Sequence, residues 1–463
     1  MVFSSLTFLF AYLPIVLLVY FLSPMRWRNL VLFIVSLFFY GWGEPIYVVV
    51  MVFSIIVNWL FGNVIENNID TNHQKSKRAL IFCIAFNLLL LGFFKYWDFL
   101  VTNLNALGIT FLKPLNLGLP IGISFYTFQT MSYPIDLYRK HTTVQKSLIS
   151  FGAYVCMFPQ LIAGPIVRYS DIAMELNKRN ITSTDFYDGI RRFTCGLAKK
   201  VLLANNVGLV WEEISTLPMY QSTLTAWLGI ICFAFQIYFD FSGYSDMAIG
   251  LGRILGFHFL ENFNYPYISK SITDFWRRWH MSLSYWFRDY VYIPLGGNRK
   301  GLSHQILNIC IVWLLTGFWH GASWNFVLWG VFYGFVLILE KLFLLKYLEK
   351  APRILTHLYT LFIVLIAWVL FAFTDMKQVF QYLGYLFGSK GVLFNGLTTF
   401  YVRNYFILLL VCVIACTPIS QTKWNFLKGK HEWITPILTT LVFILCIAFI
   451  VDASYNPFLY FRF

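Results

Sequence analysis

Apolar stretches long enough to cross a bilayer recur along nearly the whole of this chain, and no other property limits its fold so strongly. They lie near residues 5–23, 29–62, 79–99, 147–166, 191–211, 224–250, 305–345, 354–374, 403–420 and 434–451. A helical span needs only about 20 predominantly apolar residues. The 29–62 and 305–345 stretches are therefore long enough for helical pairs, with breaks at GWGEP (41–45) and around Gly317 and Gly321. With 59% of residues hydrophobic and 12% charged, too little polar surface is available to cover the chain in water, so lipid is the expected solvent. The pattern predicts an all-α polytopic membrane protein with about 11–12 membrane-embedded helices, some of them re-entrant. No internal repeat or separate soluble domain is visible, so residues 1–463 read as one integral-membrane domain.

The net charge of +14 is spread over short loops between apolar runs, which fits loops facing anionic lipid rather than a nucleic-acid groove. Arg26 and Arg28, the NHQKSKR loop (72–78) and KWNFLKGKH (423–431) predict cytoplasmic loops. Both termini then fall on the outer side. The run from Ser5 to Leu22 lacks a basic leader and an A-x-A site and is expected to be a retained helix. The 8 cysteines form no CxxC pair, and Cys412 and Cys416 have no His or carboxylate beside them, so neither a disulfide framework nor a metal site is expected.

Three membrane-like segments are too polar for plain spans: LPIGISFYTFQTMSYPIDLYR (119–139) with Gln129, FPQLIAGPIVRY (158–169), and QIYFDFSGYSDMAIG (236–250) with Asp240 and Asp246. Such groups are costly in hydrocarbon unless they face the protein interior or water. Together they predict a polar cavity in the bundle. Of the 8 histidines, most sit beside Lys or Arg in loops. Two differ. On a helix over 274–290, Trp276, His280, Leu283, Phe287 and Tyr290 form one aromatic stripe, with Asp274, Arg277, Arg278, Arg288 and Asp289 on the other side. His320 lies in TGFWHGASWNFVLWG (316–330), with Thr316 at i−4, Trp324 at i+4, and small residues that permit close approach. A buried imidazole favours its neutral form and can accept a proton near pH 7. From the residues alone, His320 stands between a satisfied core histidine and a general base.

WHGASWNFVLWG resembles the signature of membrane-bound O-acyltransferases, in the alginate and peptidoglycan O-acetyltransferase branch. The three polar segments and DFWRRWHMSLSYWFRDYVYIPLGGNRKG (274–301) are similar to that branch in the same order, so the resemblance covers nearly the whole chain. The motif core falls at about 119–345, and residues 354–463 form C-terminal helices and an outer-face tail. The resemblance implies a bundle around a central channel, with His320 as the catalytic histidine and His280 at the second active-site position, which is Asn or His in different branches. It implies acetyl transfer from a cytoplasmic donor, acetyl-CoA, with no bound cofactor, to an exported or cell-wall polysaccharide, with peptidoglycan preferred over alginate. The location implied is the bacterial cytoplasmic membrane. The partner implied is an extracytoplasmic acetyltransferase of the SGNH/hydrolase type, because no such domain is visible in this chain.

Trp319, Trp324, Gln129, Asp240 and Asp246 are the expected substrate- or donor-binding residues, and Arg299 and Lys300 suit either coenzyme A phosphates or ordinary positive-inside charge. Tyr460, in the YNPFLYFRF ending, reads as an aromatic-belt anchor or as a hydroxyl that relays the acetyl group. D-alanyl transfer and a polar-solute transporter are the rival readings.

Overall fold

The computed structural model describes residues 1–217, 222–419 and 433–452. Every regular element among them is helical. Among the described residues, eight helices are long and apolar enough to cross a membrane, and Phe8–Leu22 is a shorter apolar helix. The chain is a multi-pass, all-α membrane protein. It packs as two compact units, Met1–Phe193 with Tyr244–Leu260, and Thr194–Gly243 with Glu261–Phe463.

The first unit begins with α1 (Leu13–Leu22), α2 (Met25–Gly43), α3 (Tyr47–Asn68) and α4 (His73–Ala106). GWGEP ends α2 and separates it from α3, as its sequence predicts. Then comes α5 (Ile123–Tyr138), which is buried along nearly its whole length despite its polar residues. Some of those groups are satisfied by neighbouring helices. Asn58 and Asn87 exchange amide hydrogen bonds of 2.8 and 3.2 Å, and the Thr130 hydroxyl donates to Asn87 Oδ1 at 3.0 Å. The unit continues through α6 (Leu148–Cys156), α7 (Phe158–Leu161), α8 (Tyr169–Asn177) and most of α9 (Ser183–Ala198). The span expected at 147–166 does not form. The 9 residues of α6 reach only about 14 Å. Met157 then leaves the helical region, and Pro159 opens the short α7.

The second unit holds α10 (Asn205–Thr216) and most of α11 (Thr223–Ile254). QIYFDFSGYSDMAIG was expected to be unsuited to a plain span. It is instead the middle of α11, a continuous 32-residue helix whose apolar window is 78% buried. Burial in protein rather than a break in the helix accommodates its acidic groups. Asp240 pairs with Lys200 at 2.7 Å, both almost fully buried. Lys200 comes from a π turn (Lys199–Ala204), a one-residue widening that turns a helix face locally.

Next come α12 (Ile272–Trp276), α13 (Met281–Phe287), α14 (Leu302–His320), α15 (Trp324–Leu339), α16 (Leu345–Lys350), α17 (Arg353–Ala372), α18 (Met376–Leu386), α19 (Gly396–Ala415) and α20 (Ile434–Asp452). The apolar windows of α19 and α20 are only 17% and 11% buried, leaving most of each helix for lipid. The fully buried Glu340 holds the start of α12: its carboxylate accepts from Ile272 N at 2.7 Å, Thr273 N at 2.8 Å, Thr273 Oγ1 at 2.7 Å and Tyr359 Oη at 3.2 Å. Free helix N–H groups favour such a carboxylate.

Helices α14 and α15 approach on glycines. A Cβ at Gly330 would lie 2.4 Å from the Trp313 carbonyl oxygen, and one at Gly317 would lie 2.5 Å from that of Phe326. Backbone oxygens cannot step aside without moving a helix. Gly330→Ala should therefore destabilise the protein by about 1–3 kcal/mol, seen as a lower thermal unfolding midpoint in detergent, while an alanine at the uncrowded Gly92 leaves the midpoint in place.

Candidate active site

His320 is the last residue of α14, where the chain turns extended at Gly321 (φ −171°, ψ 155°). The break near Gly317 and Gly321 matches expectation, and it also moves Trp324. That residue starts α15 and is 55% exposed, so it is not one helical turn beyond His320. The small residues serve protein packing: a Cβ at Gly321 would lie 2.2 Å from the Phe326 ring. The His320 imidazole, 5% exposed, is ringed by aromatics, with Trp329 at 4.9 Å, Trp319 at 5.0 Å and Phe371 at 5.3 Å, each meeting it edge-on.

His280 reaches the same cluster by another route. The single helix predicted over 274–290 is broken. Arg277–His280 separates α12 from α13, and His280 itself takes the left-handed conformation (φ 46°, ψ 53°). The cause is tertiary: the 262–264 segment takes backbone hydrogen bonds that a continuous helix would use internally. Met281 N donates to Asn262 O, and Asn264 N donates to Arg278 O, both at 2.9 Å. The predicted charged side survives as local pairs, Arg278–Asp274 and Arg288–Asp289. The His280 ring meets Phe241 edge-on at 4.7 Å and Trp319 at 5.7 Å. Trp319 is therefore the shared neighbour of the two histidines.

Asn262 decides the tautomer of His280. Its Oδ1 accepts the Ser282 backbone N–H at 3.3 Å and the Ser282 hydroxyl at 2.9 Å. A backbone N–H can only donate, so this atom of the Asn262 amide is the oxygen. His280 Nδ1, 3.1 Å from the same oxygen, must then carry the proton, which leaves the Nε2 lone pair as the acceptor. His280 lies in none of the spanning helices, and burial pushes its pKa well below the ordinary imidazole value, which keeps that lone pair in place.

The other expected site residues are more dispersed. Asp240 is in the ion pair with Lys200, one residue before the Phe241 that contacts His280. Asp246 belongs to the first unit and pairs with Arg192 at 2.6 Å. Gln129, also in the first unit, is fully buried, and its backbone carbonyl accepts from Ser132 and Tyr154. Arg299 and Lys300 are exposed in a loop turned by Gly296, Gly297 and Gly301, all with positive φ. Tyr460 lies outside the described residues. Sequence reasoning missed Asn262. Its only signal is a polar residue in the aromatic run FHFLENFNYPY (257–267), 18 positions before its partner.

Residues 138–377 match the membrane-bound O-acyltransferase family profile, a range that includes His280, His320, Trp319 and Asn262. The chain is 38% identical to a probable alginate O-acetylase of Pseudomonas putida, with both chains covered completely. It is 32% identical to a peptidoglycan O-acetyltransferase of Helicobacter pylori, covering 100% of this chain and 98% of that one. A teichoic acid D-alanyltransferase of Bacillus subtilis is 29% identical over 58% of this chain and 70% of its own. The chain belongs to the membrane-bound O-acyltransferase family. This acyltransferase brings the two histidines predicted for its site into one aromatic cluster. Its Asn262 should matter through His280: Asn262→Leu should slow acyl transfer roughly tenfold, the scale of one lost orienting hydrogen bond, with the unfolding midpoint checked in the same preparation.

Proposed function

We propose that the protein transfers an acetyl group from cytoplasmic acetyl-CoA across the membrane for O-acetylation of an exported or cell-wall polysaccharide. The observation that carries this reading is the placement of two buried imidazoles, His280 and His320, against the same Trp319 ring. Full-length relatives named as alginate and peptidoglycan O-acetylating proteins support the acceptor class. The greater identity to the alginate protein removes the reason to prefer peptidoglycan, so the acceptor is proposed at the level of an exported polysaccharide. The proposed location is the bacterial cytoplasmic membrane, with Arg26, Arg28 and the 72–78 loop on the cytoplasmic side. A central channel would let donor and acceptor meet within the bundle, and an SGNH-type extracytoplasmic enzyme would complete delivery.

In this mechanism His320 takes the proton of an acceptor hydroxyl, whose oxygen attacks the thioester carbonyl. The tetrahedral intermediate collapses with cleavage of the C–S bond. Coenzyme A leaves as the thiolate and recovers the proton from the imidazolium. His280, held as the Nδ1–H tautomer, accepts a hydrogen bond at Nε2 and so orients a hydroxyl or thiol. In its neutral form it cannot donate from Nε2 to an oxyanion. Oxyanion stabilisation by His280 is therefore not part of the proposal.

His320→Ala should abolish transfer from radiolabelled acetyl-CoA while leaving the protein folded in the membrane fraction; retained transfer would exclude His320 as the base. Neutralising Arg299 and Lys300 together should raise the KM for acetyl-CoA with little change in kcat if they hold the donor phosphates, and an unchanged KM rules that role out. The Tyr460 relay is read by mass spectrometry: an acetyl ester on that residue supports it, whereas full activity in Tyr460→Phe leaves the tyrosine as an anchor.

A further inference from the structure

A pair of arginines in the first unit has no part in the chemistry above. Arg179, just after α8, is only 7% exposed. Its guanidinium lies 4.6 Å from the centroid of the Phe257 ring and 5.9 Å from that of Tyr20. Its Nη1 donates to Asn29 Oδ1 at 2.8 Å and to the Glu175 carbonyl at 3.2 Å. Asn29 is itself fixed, since its Nδ2 donates to Ser150 Oγ at 2.9 Å and to Leu176 O at 2.8 Å. The neighbouring Arg28, half-buried in the first turn of α2, places its guanidinium 5.1 Å from the centroid of the same Tyr20 ring. The Tyr20 hydroxyl is tied to Leu255 O at 2.6 Å. A side chain at Gly256 (φ +86°) would press on Arg179 Cβ and Cδ at 3.2 and 3.3 Å. Two cationic groups are thus held against one tyrosine by a rigid frame.

No carboxylate forms an ion pair with either guanidinium among the described residues. Glu175, the nearest acid in sequence to Arg179, has its carboxylate on the backbone N–H and ring of His258, at 3.1 and 2.7 Å. Burial pulls the Arg179 pKa below its ordinary value and Arg28 adds to that effect, while Tyr20 and the Glu175 charge offset part of it. Like charges brought together and partly desolvated are unfavourable unless an anion offsets them. Guanidinium is well matched to phosphate oxygens in both geometry and charge.

We infer that Arg28 and Arg179 form a phosphate-binding site, in which the more exposed Arg28 contacts a phosphate monoester or diester and the buried Arg179 supplies fixed positive charge behind it. Two sources carry this chemistry: the headgroup of an anionic lipid, or the nucleotide end of a coenzyme A thioester. The second source rests on the donor proposed above; the first does not.

The test uses the purified full-length protein in two arms. Coenzyme A is titrated by calorimetry, and retained phosphatidylglycerol is counted by native mass spectrometry. Arg28→Gln should weaken one of the two by about tenfold, and Arg28→Lys should weaken it less. Loss confined to coenzyme A assigns the soluble ester, and loss confined to phosphatidylglycerol assigns the lipid. Wild-type behaviour of Arg28→Gln in both arms would overturn the site. Arg179→Gln should act in the same direction; if it fails to fold, the half-buried Arg28 still decides the question. Both arms read binding in a His320→Ala background, so failure of the acyl-transfer reading stays separate from failure of this one.

Discussion

A polar group surrounded by hydrocarbon has to find its partner inside the protein, and much of this structure follows from that demand. Asp240 and Lys200 answer it as an ion pair, and Glu340 does so by closing the free end of a short helix. Asn58, Asn87 and Thr130 do it as a three-helix amide and hydroxyl network. Each solution joins elements far apart in sequence. Polar residues therefore specify which helices meet, while the apolar majority, equally at home in lipid, specifies much less.

The same demand shapes the active site. An imidazole buried among tryptophans and phenylalanines needs its orientation fixed by at least one strong hydrogen bond, or its tautomer is undefined. Asn262 provides that bond for His280 and is itself fixed by Ser282. Trp319 contacts both histidine rings and so ties the two imidazoles into one aromatic cluster. Glu340 contributes indirectly, because it anchors α12, the element that leads into the break at His280.

Much of this was legible in the sequence. Apolar runs of 18 or more residues marked the long spans such as α3 and α20, and the GWGEP and Gly317–Gly321 breaks fell where glycine and proline said they would. The motif around His320 also pointed to an imidazole that the fold buries among aromatic rings at the end of α14. The failures share a cause. Residues 147–166 read as a span, and 236–250 as too polar for a plain one although 224–250 counts among the spanning stretches, because hydropathy cannot distinguish a helix wrapped by protein from one wrapped by lipid. The 274–290 stripe looked continuous because helical periodicity carries no record of a competing segment. Only the backbone bonds from Asn262 and Asn264 reveal that competitor. Trp324 was misplaced for the related reason that i+4 counting was carried across a helix end.

The left-handed backbone at His280 reaches beyond this one molecule. Branched and bulky side chains are strained there, whereas glycine, asparagine, aspartate and histidine tolerate it. Glycine offers no functional group, and aspartate would bring an uncompensated negative charge into an aromatic interior. Steric torsion thus narrows the alphabet at this position to glycine, a carboxamide or a neutral imidazole, and the need for a hydrogen-bonding group leaves the last two.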